Sequence, residues 1–232
     1  MRINKLFSNY GICSRKETNR LIQENRVLIN GIPAFEGQWV EESDIILFDG
    51  TRIVPKPKIY LAFNKPRGIL CSSNSNLESN IISFLNYPHY IFPIGRLDKD
   101  SEGLLLLTND GDLANDLIDS NNYHEKKYIV TVQSPITEEF LTSMSNGVKI
   151  LNTITRPCIL EKISDYTFSI ILTQGLNRQI RRMCKTFGYT VITLQRIQIL
   201  NISLSGIDYG EYRELSNSEI TSLKDILKNG SE

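Results

Sequence analysis

The first fifty residues carry two helical stripes followed by two short apolar runs. Ile3, Leu6 and Phe7 have the spacing of one helical face, and Gly11 interrupts it. Ser14-Arg15-Lys16-Glu17 then has the form of a capping box, in which Ser14 accepts from the Glu17 amide and Glu17 reaches back. Leu21 and Ile22 predict the buried stripe of this second helix, while Arg15, Lys16 and Arg20 fall off it toward solvent. Val27 and Ile29 alternate as a strand, Asn30-Gly31 marks a turn, and Ile45 to Phe48 predicts a further strand before Asp49-Gly50. This unit reads α-α-β, then β.

Val54-Pro55-Lys56-Pro57-Lys58 cannot continue a helix and lacks two amide donors, so it is expected to be an extended, exposed spacer. Beyond Ile59 come β-rich runs at Tyr60–Phe63, Gly103–Leu107, Tyr128–Val132, Phe168–Leu172 and Val191–Leu194. Helical patterns lie around 111–119, 137–146, 177–187 and 217–228. Strands and helices mix without a repeating βαβ period, which predicts an α+β fold with a mixed or antiparallel sheet and flanking helices. The expected division is a small unit over 1–50, a linker over 51–58 and a larger domain over 59–232.

With 41% hydrophobic and 22% charged residues, the 232-residue chain has the composition of an ordinary globular protein. Its longest apolar run, Leu104 to Leu107, is far short of a membrane span, and the opening MRINKLFSNYG lacks a signal-peptide stretch. A cytoplasmic monomer is therefore expected. Cys13, Cys71, Cys158 and Cys184 form no CxxC pair and read as reduced thiols. His89 and His124 are too few and too far apart to suggest a metal site, so neither metal nor cofactor is expected.

Twenty-six basic residues balance twenty-six acidic ones, which on its face argues against a nucleic-acid partner. Locally the balance breaks. Residues 1–30 hold six Lys/Arg against two acids, a net of +4, and residues 174–196 hold five against none, a net of +5. The remainder sums to −9, and between Asp98 and Asp119 seven acids face one Lys. Either basic segment alone could be a solvated face. Two of them, with an acidic stretch between, instead predict selection of RNA by shape with weak non-specific binding.

The segment RINKLFSNYGICSRKETNRLI, followed by RVLINGIP, resembles the S4 RNA-binding domain over about 45 residues. In that family the basic second-helix face and the turn after the VxING-like strand contact structured RNA. The resemblance therefore implies Arg2, Lys5, Arg15, Lys16, Arg20 and Asn30 as RNA contacts. Cations on one rigid face supply affinity to phosphates without reading sequence.

Read by residue type alone, Phe92-Pro93-Ile94-Gly95-Arg96-Leu97-Asp98-Lys99-Asp100-Ser101-Glu102-Gly103 is a Gly-flanked polar loop ahead of a buried strand. Yet GRLDKDSEGLLLLTNDGDL is very similar to the catalytic motif of pseudouridine synthases, in the branch that also carries an S4 domain and acts on ribosomal RNA. Three further motifs match in order: Asn64-Lys65-Pro66-Arg67-Gly68, His124-Glu125-Lys126-Lys127-Tyr128, and Gly175-Leu176-Asn177-Arg178-Gln179-Ile180-Arg181-Arg182-Met183. HEKKY, GLNRQIRRMC and NISLSGI look closest to the RluF type, which acts on large-subunit (23S) ribosomal RNA. A transfer-RNA anticodon loop is a further candidate substrate. That type often carries a long basic C-terminal tail, whereas this sequence runs Leu227-Lys228-Asn229-Gly230-Ser231-Glu232, so a weaker hold on RNA beyond the pocket is expected.

The resemblance implies that uridine is isomerised: its glycosidic bond breaks, the uracil turns, and its C5 joins the ribose. Asp98 is then the nucleophile, attacking ribose C1′ or uracil C6. Arg181 is its ion-pair partner, and a neighbouring cation favours an ionised carboxylate. Tyr128 packs on the uracil and takes part in removing the C5 proton. Arg96 fills the space the flipped base vacates or holds its phosphates. Met183 is implied as an apolar pocket wall, with Lys65, Arg67 and Arg178 at the substrate. Other readings compete: Tyr128 alternates with Val130 and Val132 like a core residue, and Asp98, Asp100 and Glu102 could include a glycosidase pair. A non-catalytic RNA-docking assembly factor is the remaining alternative.

Overall fold

The structure, a computed structural model, describes residues 1–72 and 79–229. The chain's last residues, Gly230 to Glu232, lie outside the described residues. Two short helices open it, α1 (Ile3–Asn9) and α2 (Arg15–Gln23), followed by β1 (Val27–Ile29), β2 (Ile32–Pro33), β3 (Ile46–Phe48) and β4 (Thr51–Arg52). The four strands form one sheet in the order β2-β1-β3-β4. Ile3, Leu6, Phe7, Leu21, Ile22, Val27 and Ile29 build a core drawn entirely from this N-terminal unit. Ser14 caps α2 by accepting from the Glu17 amide. The Glu17 carboxylate, however, turns to Arg20 instead of reaching back, because an i,i+3 guanidinium is the stronger partner.

The remaining elements are β5 (Tyr60–Lys65), α3 (Ile81–Leu85), β6 (Phe92–Ile94), β7 (Glu102–Thr108), α4 (Gly111–Ile118), β8 (Lys126–Val132) and α5 (Glu138–Ser145). After them come β9 (Lys149–Ile150), β10 (Thr153–Ile154), β11 (Ile159–Lys162), β12 (Thr167–Leu172), α6 (Gln179–Thr186), β13 (Val191–Ile199), β14 (Ile202–Ser203), β15 (Tyr212–Glu214) and α7 (Asn217–Asn229). Their main sheet runs β11-β12-β8-β13-β7-β5-β15, antiparallel except where β13 lies parallel to β7. The fold is thus α+β with a mixed sheet.

The four-leucine run is unbroken because its strand is covered on both faces. Leu105 and Leu107 enter the core that includes Phe63, Tyr128, Val130, Phe140, Phe168 and Met183. Leu104 and Leu106 enter the opposite core with Leu113, Leu117, Leu223 and Leu227 of α4 and α7. Gly103, the second residue of β7, is glycine for a steric reason: a Cβ there would lie 2.3 Å from the Arg196 carbonyl, and its φ is +99°. Only glycine lets β7 and β13 close side by side at this point. Among the described residues no helix is long and apolar enough to cross a membrane.

Candidate active site

The loop between β6 and β7 is held from three directions before it presents any chemistry. Leu97 is buried beneath it and donates its amide to Cys71 Sγ at 3.3 Å. From β5, the buried Lys65 ammonium donates to the carbonyls of Pro66 and Ser101, both at 2.8 Å, and the Gly68 amide donates to Lys99 O at 2.8 Å. From α6, Arg181 Nη2 donates to Asp100 O at 3.1 Å and Ser101 Oγ at 3.4 Å. A Ser101 N–H to Asp98 O bond of 3.0 Å closes the turn. The Asp98 carboxylate leaves this frame with 29% of its surface exposed, so its aim is set by the fold before substrate arrives.

Across from it, strand register brings in the ring. Tyr128 on β8 pairs with Ile170 on one side and Arg196 on the other, and Arg196 in turn pairs with Gly103 at the start of the loop's strand. Tyr128 is 8% exposed and lines a cavity of about 110 Å³ shared with Asp98, Arg96, Gln174 and Arg178. Leu97, Leu172, Leu176, Ile180 and Leu194 supply its apolar wall. A small cleft with an apolar wall on one side and, on the other, one aimed carboxylate, one aromatic ring and flanking guanidiniums suits a flat, neutral heterocycle attached to an anionic backbone.

The segment before α6 explains its own motif. Leu176 N–H donates to Gln179 Oε1 at 3.0 Å, and Arg182 donates from Nε to Asn177 O at 3.0 Å and from Nη2 to Asn177 Oδ1 at 3.2 Å. These bonds hold Arg178 at φ +50°, where its Nη1 stands 3.7 Å from Asp98 and 3.8 Å from Asp100. Burial, then repulsion from Arg178, lowers the pKa of the Arg181 guanidinium from its ordinary value, with Asp98 and Asp100 opposing.

Comparison with known proteins decides the chemistry. The family model described as RNA pseudouridylate synthase matches residues 59–186. The chain belongs to the RNA pseudouridine synthase family. It is 47% identical over 234 residues to dual-specificity RNA pseudouridine synthase RluF of Escherichia coli (strain K12), covering all of this chain and 81% of that protein. It is 34% identical over 238 residues to ribosomal large subunit pseudouridine synthase B of Bacillus subtilis (strain 168), covering 99% of this chain and 98% of the relative. A solved pseudouridylate synthase matches the fold with a TM-score of 0.72 at 30% identity, covering 96% of this chain and 99% of the other. This places the enzyme in the branch that holds RluF.

Set in that synthase cleft, several expected residues stand elsewhere. Among the described residues Arg178, not Arg181, is the cation within 4 Å of Asp98; Arg181 is drawn aside by Asp100 O, Ser101 Oγ and Val191 O. Met183 is wholly buried in the core and takes a contact from Gln179 Nε2, so Ile180, one face nearer, forms the wall instead. Lys65 is 0% exposed and spends its ammonium on two carbonyls, which makes it a brace for the loop and not a substrate contact. Arg67 sits exposed outside the cleft, its amide donating to Tyr209 Oη.

In the N-terminal unit Arg15 and Lys16 are exposed with no carboxylate within 4 Å among the described residues, and Arg2, just before α1, is exposed too. Arg20 is paired with Glu17, Lys5 is paired with Asp112 at 2.9 Å, and Asn30 is occupied in its own loop, donating to Asp44 and accepting from Ile45 N–H. Gln174 is a cleft residue that sequence reading passed over. Its Nε2 is buried with no partner among the described residues, and its place directly before Gly175-Leu176 was the available signal.

Proposed function

We propose that this enzyme converts a specific uridine of 23S ribosomal RNA to pseudouridine, with Asp98 as the nucleophile, and that residues 1–50 act as an S4-type RNA-binding domain joined through 51–58 to a catalytic domain. The observation that carries it is the gathering of Asp98, Tyr128, Arg96 and Arg178 around one cleft. The large-subunit target is supported by the name of the Bacillus subtilis relative. The dual specificity named for RluF supports a second substrate, for which a transfer-RNA anticodon loop is the candidate.

In the reaction the bond between uracil N1 and ribose C1′ breaks and a bond from C5 to C1′ forms, while C5 loses a proton and N1 gains one. No atom is added or removed. The target base leaves its stack, at roughly a few kcal/mol, and enters the cleft against the Tyr128 ring. Arg96, exposed at the mouth with no carboxylate within 4 Å among the described residues, occupies the vacated position or holds the flanking phosphate. Asp98 opens the glycosidic bond covalently. Tyr128 takes part in removing the C5 proton after the base has turned.

The test maps pseudouridine across 23S ribosomal RNA and transfer RNA from cells with the wild-type chain, with Asp98→Asn, and with none. The wild type restores a modified uridine in 23S RNA that the null strain lacks. Asp98→Asn binds RNA and folds but restores nothing; modification by that variant would overturn the assignment.

A further inference from the structure

The T-N-D-G-D run after the four leucines belongs to the catalytic motif in sequence but lies outside the cleft. Its side chains turn instead toward the N-terminal unit. Asn109, 1% exposed, clamps the spacer on both sides of Lys58: Nδ2 donates to Pro57 O and Oδ1 accepts from Ile59 N–H, each at 2.9 Å. Thr108 Oγ1 donates to Ile59 O at 2.6 Å. Asp110 accepts from Tyr60 Oη at 2.7 Å and from Lys58 Nζ at 3.4 Å, and that ammonium also donates to Asn9 O at the end of α1. Asp112 then meets two residues one turn apart on α1, Lys5 at 2.9 Å and Asn9 at 3.2 Å.

Two glycines sit at the points of closest approach, where a side chain would push the Asn109 and Asn9 carboxamides aside. A Cβ on Gly11 would lie 2.7 Å from Asn109 Nδ2, and one on Gly111 would lie 2.8 Å from Asn9 Oδ1. Any exposed ion pair here is weak alone. Together with a buried carboxamide they are directional, and they fix an angle as well as a contact.

That angle has a consequence for RNA. Arg15 of α2 and Arg96 of the catalytic loop line one groove of about 590 Å³, with Tyr90 and Phe92 also in its lining. Arg96 also lines the cleft, so the groove and the cleft adjoin at this residue. We propose that Asn109, Asp110 and Asp112 form a latch that sets the N-terminal unit against the catalytic sheet, acting as positioning residues for RNA that spans Arg15 and the cleft. The proposal rests on the reading of residues 1–50 as RNA-binding. It also gives the acidic stretch a purpose: Asp110 and Asp112 neutralise Lys58 and Lys5 at the seam, leaving Arg15 and Lys16 for phosphates.

Two readouts on the full chain test it: trypsin cleavage after Lys58, and KM and kcat on protein-free 23S ribosomal RNA. Asn109→Ala speeds cleavage at Lys58 and raises KM, each roughly tenfold, with kcat within about twofold, because two sites on a loosened tether lose effective concentration. Asp112→Lys raises KM, and the reversed pair Lys5→Asp with Asp112→Lys restores it, which a direct RNA contact by Lys5 does not allow. Unchanged cleavage and KM in Asn109→Ala, or failure of the reversed pair to restore KM, overturns the latch. Arg15→Glu separates the two claims: raised KM there with none in Asn109→Ala sinks the latch alone, while unchanged KM in Arg15→Glu sinks the RNA-binding reading and the latch with it.

Discussion

Nη1 of Arg178 lies 3.7 Å from Oδ2 of Asp98, whereas Arg181 binds the carbonyls of Asp100 and Val191 and the Ser101 hydroxyl. Two arginines of one motif thus divide the work on one loop. Arg178 supplies charge beside the carboxylate, and Arg181 supplies the scaffold that aims it.

The division predicts different failures. Arg178→Ala should lower kcat by about 10- to 100-fold, below the roughly 100- to 1,000-fold for a fully buried donor because both partners are part-exposed, and for the same reason leave unfolding by urea nearly unchanged. Arg181→Ala should cost about 1–3 kcal/mol of stability by stranding loop acceptors, together with activity. A stable, inactive Arg181→Ala would return the ion-pair role to Arg181.

Gly103 and Gly95 offer a comparison in which the local space decides the size of the effect. Both have positive φ, +99° and +70°, but a Cβ at Gly103 meets the Arg196 backbone at 2.3 Å while one at Gly95 meets nothing within 4 Å. Gly95→Ala should therefore cost only the left-handed backbone, about 1–2 kcal/mol. Gly103→Ala adds a clash with a central strand, and about 3–4 kcal/mol or more is expected from the two together. Equal urea midpoints for the two variants would show that β7 and β13 can part.

Those contrasts mark what was legible in the sequence. Periodicity located every long element, from the α1 stripe of Ile3, Leu6 and Phe7 to the α7 pattern, because each buries one face or both. The short strand Phe92–Ile94 escaped it, since three residues cannot show a period and their Pro-Ile-Gly ending reads as a loop. At the site, residue type was a poor guide to direction. Lys65, Arg181 and Lys5 are cations in motifs that act on an anion, yet each is turned to a protein acceptor supplied by a distant segment: Ser101, Asp100 and Asp112. Such partners are fixed by tertiary register, which no local pattern contains.

Met183 and Ile180 sit within one turn of α6 and should separate stability from chemistry. Met183 is 0% exposed in the core, so Met183→Ala should cost about 2–5 kcal/mol while kcat, measured well below the melting midpoint, stays within about twofold. Ile180 lines the cleft, and Ile180→Ala should raise KM by widening the wall beside the base. Loss of kcat in a folded Met183→Ala would put that side chain back against the substrate.

Lys126 gives a pH signature in the alkaline range. Burial, with Arg196 adding repulsion, pushes its ammonium down to about 8, although its Nζ donates to His124 O at 3.0 Å. The unfolded chain restores the ordinary value near 10.4. Between those values the unfolded state binds more protons than the folded one, so stability rises with pH there. The cost of burying this charge is fully present below about pH 8 and is relieved as pH climbs toward 10.4. Lys126→Met removes the charge outright. Its melting midpoint should exceed the wild type's by a few degrees at pH 7, and the gap should close across that window as the wild-type lysine loses its proton. A gap that stays constant from pH 7 to 10 would mean that Lys126 titrates as it does in water.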